Sequence, residues 1–168
     1  ALTVLSTDGD LRELVRDHPC AVLTPHAGEF ERLYAATLGS ELDLSKGLGV
    51  RLRELSDALD CFILHKGRIT TVTAPGQKIY GMNAGHSYAA TAGSGDVLSG
   101  ILGATLAQVD AAEADAETII MEILHAAAIH QHAAAIAAHA PDGFGLCSAS
   151  QIAAAVPQAI ARLLVMQR

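Results

Sequence analysis

Residues 90–104, ATAGSGDVLSGILGA, run a small-residue loop directly into an apolar helix, and they hold the residue types best suited to phosphate chemistry. Glycine at 93 and 95 lets the backbone turn through conformations closed to other residues and brings the main chain close to a ligand. The amides of Gly93, Ser94 and Gly95 at the helix start, with the helix dipole behind them, would form an anion hole for a phosphate or a developing oxyanion. Asp96 stands in the same turn. Two roles are open to it: a carboxylate that complements the dipole, or a base that takes the proton of a hydroxyl attacking a bound phosphate. A Walker loop is excluded, because no Gly-Lys pair followed by Ser or Thr occurs. A dinucleotide fingerprint is excluded as well, because Leu98 stands where the third glycine belongs.

Two further residues stand at strand ends, the edge where open α/β sheets collect ligands, the first of them beside the start of a helix. His26 is either a capping or loop histidine or a substrate contact. Lys66, followed by Gly67, is either a solvated lysine or an ammonium reaching a phosphate. Together with Asp96 they suggest a phosphate-handling site with a carboxylate. His125, His132 and His139 recur every seven residues, with His130 off that line. Sevenfold spacing separates neighbours by about 10 Å, too far to share one ion, so no metal-ligand set is assigned and the histidines are expected to be polar members of a helix interface.

The elements that must position these groups follow from the pattern along the chain. Thr3-Val4-Leu5 predicts a strand, and Asp8 caps a helix with Leu11, Leu14 and Val15 on one face. Cys20 to Leu23 predicts the second strand, ended by Thr24 as a helix cap with Pro25 in the first turn. Asp43 or Ser45 caps a helix whose Leu44, Leu48, Leu52, Leu55 and Leu59 form an apolar stripe. Phe62-Ile63-Leu64 is a third strand, and Thr70–Thr73 and Lys78–Tyr80 alternate as strands around a Pro75-Gly76 turn. Beyond the glycine loop come a helix to about Val109, an acidic connector and an Ala-rich helix over 116–138. Pro141-Asp142-Gly143 breaks that helix, and Ser148 caps a last helix that Pro157 interrupts. Strands followed by helices predict an α/β/α sandwich with a largely parallel sheet.

At 168 residues the chain is the size of one domain, able to bury roughly 70% of its unfolded surface. With aromatic residues at 4% and no Trp, its interior must be built from Ala, Leu, Ile and Val. A formal charge of -7 with no Lys/Arg cluster argues against a nucleic-acid surface. Cys20, Cys61 and Cys147 are odd in number and far apart, as expected of reduced thiols in a cytoplasmic protein. The run from Ile123 to Pro141 carries no Asp, Glu, Lys or Arg, yet its four His and one Gln make it too polar for a membrane span.

The stretch Thr24–Leu33, TPHAGEFERL, resembles the TPHxGEFxRL motif of the ADP- or ATP-dependent NAD(P)H-hydrate dehydratases, members of the ribokinase-like superfamily. The glycine loop is similar to that family's second signature, Lys66–Thr70 (KGRIT) to its KGxxT segment, and Gly145–Pro157 to its closing segment. The similarity spans essentially the whole chain but only the second half of the family's domain. It implies a single ribokinase-like domain over 1–168 without the family's front half. The implied activity is nucleotide-dependent dehydration of hydrated NADH or NADPH, a lyase reaction proceeding by kinase-like phosphorylation and loss of phosphate. By the same resemblance, Lys66, Gly67, Arg68, Ile69, Thr70 and Gly95 contact the adenine nucleotide, and His26 and Asp96 contact the hydrated nicotinamide, with Asp96 as the catalytic base. ADP or ATP is the co-substrate, magnesium accompanies the phosphates, and a cytoplasmic homo-oligomer is expected. Two departures stand out: Ser6 replaces the first aspartate of a DADAL-like run, and Gly85-His86 stands where the family tends to carry Gly-Asn. The alternatives are a small-molecule kinase of the same superfamily, acting on a sugar or vitamin alcohol, and a nucleotide-binding remnant without turnover.

Overall fold

A computed structural model describes residues 2–39, 45–83, 87–110, 113–140 and 143–166. These fall into two compact units, one of residues 1–82 with 110–120 and one of 83–109 with 121–168.

The first unit is built on a four-stranded sheet of β1 (Val22–Leu23), β2 (Phe62–His65), β3 (Ile69–Thr73) and β4 (Tyr80–Asn83), in that spatial order. The sheet is mixed. β1 and β2 run parallel, with Val22 opposite Phe62 and Leu23 opposite Ile63, whereas β2 and β3 are antiparallel, with Leu64 opposite Val72. The antiparallel pair arises because three residues, Lys66 to Arg68, join β2 to β3, too few for the crossover that parallel strands need. Asp57 Oδ1 accepts the Gly76 amide at 3.0 Å, tying down the Pro75-Gly76 turn.

The strand expected at Thr3–Leu5 is instead a helical turn, α1 (Leu2–Leu5). Ser6 N donates to Leu2 O at 3.0 Å and Ser6 Oγ to Thr3 O at 2.7 Å, so local bonds satisfy a segment for which the described sheet supplies no partner strand. Leu5 is buried and Val4 lies outside, 54% exposed. In α2 (Gly9–Arg16) Asp8 Oδ1 accepts Leu11 N at 3.2 Å, as the capping signal requires. Its apolar face stays largely open, with Leu14 exposed and Val15 packed on the core.

The helices α3 (Ala27–Leu38) and α4 (Leu48–Leu59) close the core of this unit. Phe30 and Leu33 of α3 meet the Leu52, Leu55 and Leu59 stripe of α4, all buried, together with Leu23, Cys61 and Ile63. The cap of α4 is Gly47 and not Ser45, while Asp43 and Leu44 lie outside the described residues. Burial of Cys61, beside Asp60, pushes its thiol up to about 12 and keeps it unreactive.

The second unit is helical. It holds α5 (Ser94–Leu106), α7 (Ala149–Met166) and most of α6 (Ala116–Ala137), with a small hairpin of β5 (His139–Ala140) and β6 (Gly143–Phe144). Ala133, Ala134 and Ala138 pack on Ile152, Ala155 and Ala159, so small side chains allow close approach where aromatics are scarce. By length and composition α6 is the one helix among the described residues that could cross a bilayer; Ile123, Ala126, Ala127 and His130 are buried within the protein.

Ser148 caps α7 as expected, with its Oγ accepting Gln151 N at 3.3 Å and Gln151 Oε1 accepting Ser148 N at 2.8 Å. Pro157 does not interrupt this helix, which runs on to Met166. It sits on the exposed face, where water can satisfy the carbonyl it leaves unpaired, while Ile152, Ala155 and Ala159 on the buried face hold both halves in register.

Candidate functional site

In the first unit His26, Lys66 and Glu29 are drawn together at the carboxyl end of the parallel pair β1 and β2. Lys66 N donates to Pro25 O at 2.8 Å, and residues 26 and 66 form a parallel bridge that extends the β1–β2 ladder. This extra pairing delays the helix, so the cap of α3 is His26 rather than Thr24. His26 Nδ1 accepts Glu29 N at 3.4 Å, and Glu29 Oε2 accepts His26 N at 3.0 Å, a reciprocal capping box. An Nδ1 that accepts leaves the proton on Nε2, which lies 3.5 Å from the same Glu29 oxygen. Lys66 Nζ is 3.9 Å from that oxygen too. The His26 contact is to a neutral imidazole and the Lys66 contact is a part-exposed ion pair; both add little stability, but they orient the imidazole and the ammonium on one carboxylate. The sequence reading did not single out Glu29 for the site. The His-x-x-Glu spacing at a helix start was the signal that could have found it.

Beyond Lys66 the chain turns tightly. A side chain at Gly67 would come within 3.3 Å of Ile69 O. Gly67, Arg68 and Ile69 are exposed, whereas Thr70 is buried. Behind this turn lies His65, 6% exposed, edge-on to Phe30 at 5.6 Å, with Nδ1 lacking a hydrogen-bond partner. Burial, helped by the positive charges of Arg51 and His26, lowers its pKa from the ordinary 6.5. The unfolded chain therefore binds the proton more readily, and stability fully present above about pH 6.5 is lost progressively as pH falls below that value toward the lowered folded pKa. The expected outcome is that His65→Leu flattens the acid limb of the unfolding free energy, measured by denaturant titration at successive pH values.

In the second unit the anion turn has the conformation its glycines imply. Gly93, the cap of α5, is left-handed at φ 81°, and no side chain caps the helix. Asp96 N and Val97 N both donate to Gly93 O, at 3.0 and 3.2 Å. Of the three candidate amides, Ser94 N is already bonded to Thr91 O at 3.2 Å. Gly93 N and Gly95 N make no hydrogen bond among the described residues, so they are the two donors open to an anion. The Asp96 side chain is exposed in the first helical turn.

Ser94 faces inward, 4% exposed, with its Oγ 3.0 Å from His130 Nε2. The same nitrogen is 3.0 Å from Ser94 O, and since a carbonyl only accepts, Nε2 carries the proton. Thus His130 of α6 anchors the turn. His130 is the histidine off the sevenfold line, and its contact joins positions 36 apart, which spacing along one helix cannot reveal. His125, by contrast, is 56% exposed beside Glu122, and His139 lies in β5 past the helix end. His130→Ala is expected to lower the unfolding free energy by about 1–3 kcal/mol, because Ser94 is left buried without its partner, whereas His125→Ala stays within about 0.5 kcal/mol. Paired denaturant melts check this.

A separate groove of about 750 Å³ runs between α5, α6 and α7, lined by Val97, Ile101, Ala104, Ile129, Val156 and Ile160 among others. None of the sequence-predicted site residues lines it. Gly85 and His86 lie outside the described residues.

Residues 1–156 match the family model described as NAD(P)H-hydrate dehydratase. The bifunctional NAD(P)H-hydrate repair enzyme Nnr of Corynebacterium glutamicum is 38% identical over 180 residues, an alignment covering 97% of this chain and 31% of the relative. Among solved structures, a ribokinase-like superfamily protein of Enterococcus faecalis superposes with a TM-score of 0.61 at 22% identity, over 84% of this chain and 44% of its own. The ADP/ATP-dependent NAD(P)H-hydrate dehydratase of Bacillus subtilis, co-crystallised with ATP/Mg2+ and soaked with CoA, gives a TM-score of 0.61 at 22% identity over 84% and 48%. The fold is therefore ribokinase-like α/β. The chain spans about a third of the length of that curated relative and under half of those solved neighbours.

Proposed function

The chain belongs to the NAD(P)H-hydrate dehydratase family, and from that membership we propose that it takes part in the nucleotide-dependent dehydration of hydrated NADH or NADPH. The observation that carries the reading is the first turn of α5, where two open amides and the exposed Asp96 carboxylate stand within four residues. Water is a poor leaving group, which gives a reason for a dehydration to consume a nucleotide. In the proposed reaction Gly93 and Gly95 amides hold the terminal phosphoryl group and its developing charge. Asp96 takes the proton of the ring hydroxyl as that oxygen bonds to phosphorus and the bond to the departing nucleotide breaks. The carbon–oxygen bond then breaks with its electron pair leaving on phosphate, and loss of the neighbouring proton restores the double bond. Ser94 supplies no open amide, since its N–H is bonded to Thr91 O, and instead holds the turn in place through His130.

Following the family resemblance, Lys66, Gly67, Arg68, Ile69, Thr70 and Gly95 are assigned to the adenine nucleotide. His26 is assigned to the hydrated nicotinamide, held by its capping box with Glu29. Among the described residues no group of three or more His, Cys, Asp or Glu is arranged to cage a metal ion. Magnesium keeps much of its shell in water and phosphate oxygens, so a single exposed carboxylate beside open amides suits an ion carried by the nucleotide. When bound, that ion offsets charge on the phosphates. ADP or ATP is assigned as the donor, in a cytoplasmic setting and a homo-oligomer.

The test incubates the chain with ADP or ATP, magnesium and hydrated NADH and follows recovery of reduced-nicotinamide absorbance. Recovery supports the dehydratase. Nucleotide consumption only with a sugar or vitamin alcohol would move the chain to the kinases, and binding without turnover would make it a nucleotide-binding piece of a longer enzyme.

A further inference from the structure

Beside the anion turn, and within the same unit, the structure exposes an aromatic face that the proposed mechanism does not use. Phe144 of β6 is 61% exposed and stacks on Tyr88 with ring centres 5.0 Å apart and planes at 21°. His139, across the hairpin from Phe144, meets its edge at 5.6 Å and 72°. Leu146, two residues on, is fully exposed. Phe144 and Leu146 thus present apolar surface to solvent beside Tyr88, which itself packs on the core of this unit.

Short covalent and hydrogen-bonded links tie this face to the phosphate-gripping amides. Tyr88 lies in a 3-10 turn over Ser87–Ala89, followed at once by the bonds Ala90 N to Ser87 O, Thr91 N to Ala89 O and Ser94 N to Thr91 O. On the other side of the face, Cys147 Sγ donates to Tyr88 O at 3.3 Å. Two residues later, Ala149 Cβ lies 3.1 Å from where a side chain on Gly93 would begin. The segment 144–149 therefore touches both the aromatic pair and the first residue of the anion turn.

Resting on the nucleotide-binding reading above, we propose that the Phe144–Tyr88 stack, edged by His139, is the platform on which a planar heteroaromatic base of one of the substrates stacks while its phosphates reach Gly93 and Gly95. A flat π-face accepts any base without reading its edge, and stacking on one aromatic side chain is worth about a tenfold change in affinity or more. Adenine and nicotinamide offer the same chemistry, so the two sources are separated by experiment.

The chain has no tryptophan, so Phe144→Trp places a single indole on the platform. That variant is titrated with ADP, with nicotinamide mononucleotide and with inorganic tripolyphosphate, following its fluorescence. Saturable quenching by ADP assigns the platform to adenine, and quenching by nicotinamide mononucleotide alone assigns it to the hydrate. In parallel, Phe144→Ala is expected to weaken the quenching nucleotide about tenfold while leaving tripolyphosphate affinity unchanged. Quenching by neither nucleotide, equal quenching by tripolyphosphate, or unchanged nucleotide affinity in Phe144→Ala overturns the proposal. Hydrate turnover by the wild-type chain combined with unchanged affinity in Phe144→Ala would sink the platform and leave the dehydratase standing. Base-dependent quenching without hydrate turnover would do the reverse.

Discussion

Asp96→Asn is expected to lower the rate of hydrated-nicotinamide dehydration by about 100- to 10,000-fold, the span over which a positioned general base contributes. Nucleotide affinity should change little, because the amides of Gly93 and Gly95 belong to the backbone and survive the exchange. The Asp96 side chain is exposed and buries nothing, so the substitution leaves the unfolding free energy within about 0.5 kcal/mol. A loss of kcat with KM nearly constant marks an interaction made in the transition state. If Asp96 only complemented the helix dipole, the same exchange would cost a few tenths of a kcal/mol in stability and would spare the rate. Steady-state kinetics with nucleotide in excess, beside a nucleotide titration of the variant, separates the two roles that the sequence left open.

Gly93→Val is expected to remove phosphate binding itself. Gly93 adopts φ 81°, where a side chain meets its own backbone, and a β-branched one meets it most. The added Cβ would also stand 3.1 Å from Ala149 Cβ, at the rigid start of α7. Strain of about 1–3 kcal/mol follows, and the turn relieves it by rotating the amides away from a common point. Nucleotide affinity should fall by at least about tenfold, with tripolyphosphate falling in parallel since the lost contact is to phosphate. Isothermal titration with both ligands checks the pairing. Loss of ADP binding with tripolyphosphate binding intact would place the phosphate elsewhere.

Local signals were legible wherever a residue acts within one turn of itself. Asp8 and Ser148 cap their helices as their types require, and the Leu52, Leu55, Leu59 stripe is buried as its period implies. The Gly93–Asp96 turn also stands where its letters place it. Signals failed where a distant partner decides. Thr3-Val4-Leu5 has strand-forming residues, but a strand needs a neighbour, and without one in the described sheet a helical turn satisfies its backbone locally. Thr24 and Pro25 carry a sound helix-start signal, yet the bridge from 26 to 66 holds that segment in the ladder and passes the cap to His26.

The site was legible in the same uneven way. Gly93, Asp96, Lys66 and His26 are candidates by type and position alone, and the capping role held open for His26 is the one its ring fills in the structure. Glu29 and His130, which orient those groups, did not declare themselves, because orienting is a property of contacts. The hairpin bearing Phe144 was equally silent. Two-residue strands show no alternation, and the stacking of Phe144 on Tyr88 joins segments 56 positions apart.

The central claim, that phosphoryl transfer at the head of α5 drives the dehydration, is tested most directly by stoichiometry. The wild-type chain is incubated with nucleotide, magnesium and hydrated NADH, and inorganic phosphate and reduced nicotinamide are measured in the same samples. The account predicts that phosphate and reduced nicotinamide appear in equal amounts and that neither appears without nucleotide. Reduced nicotinamide recovered with no phosphate released, or phosphate released with no recovery, would contradict it.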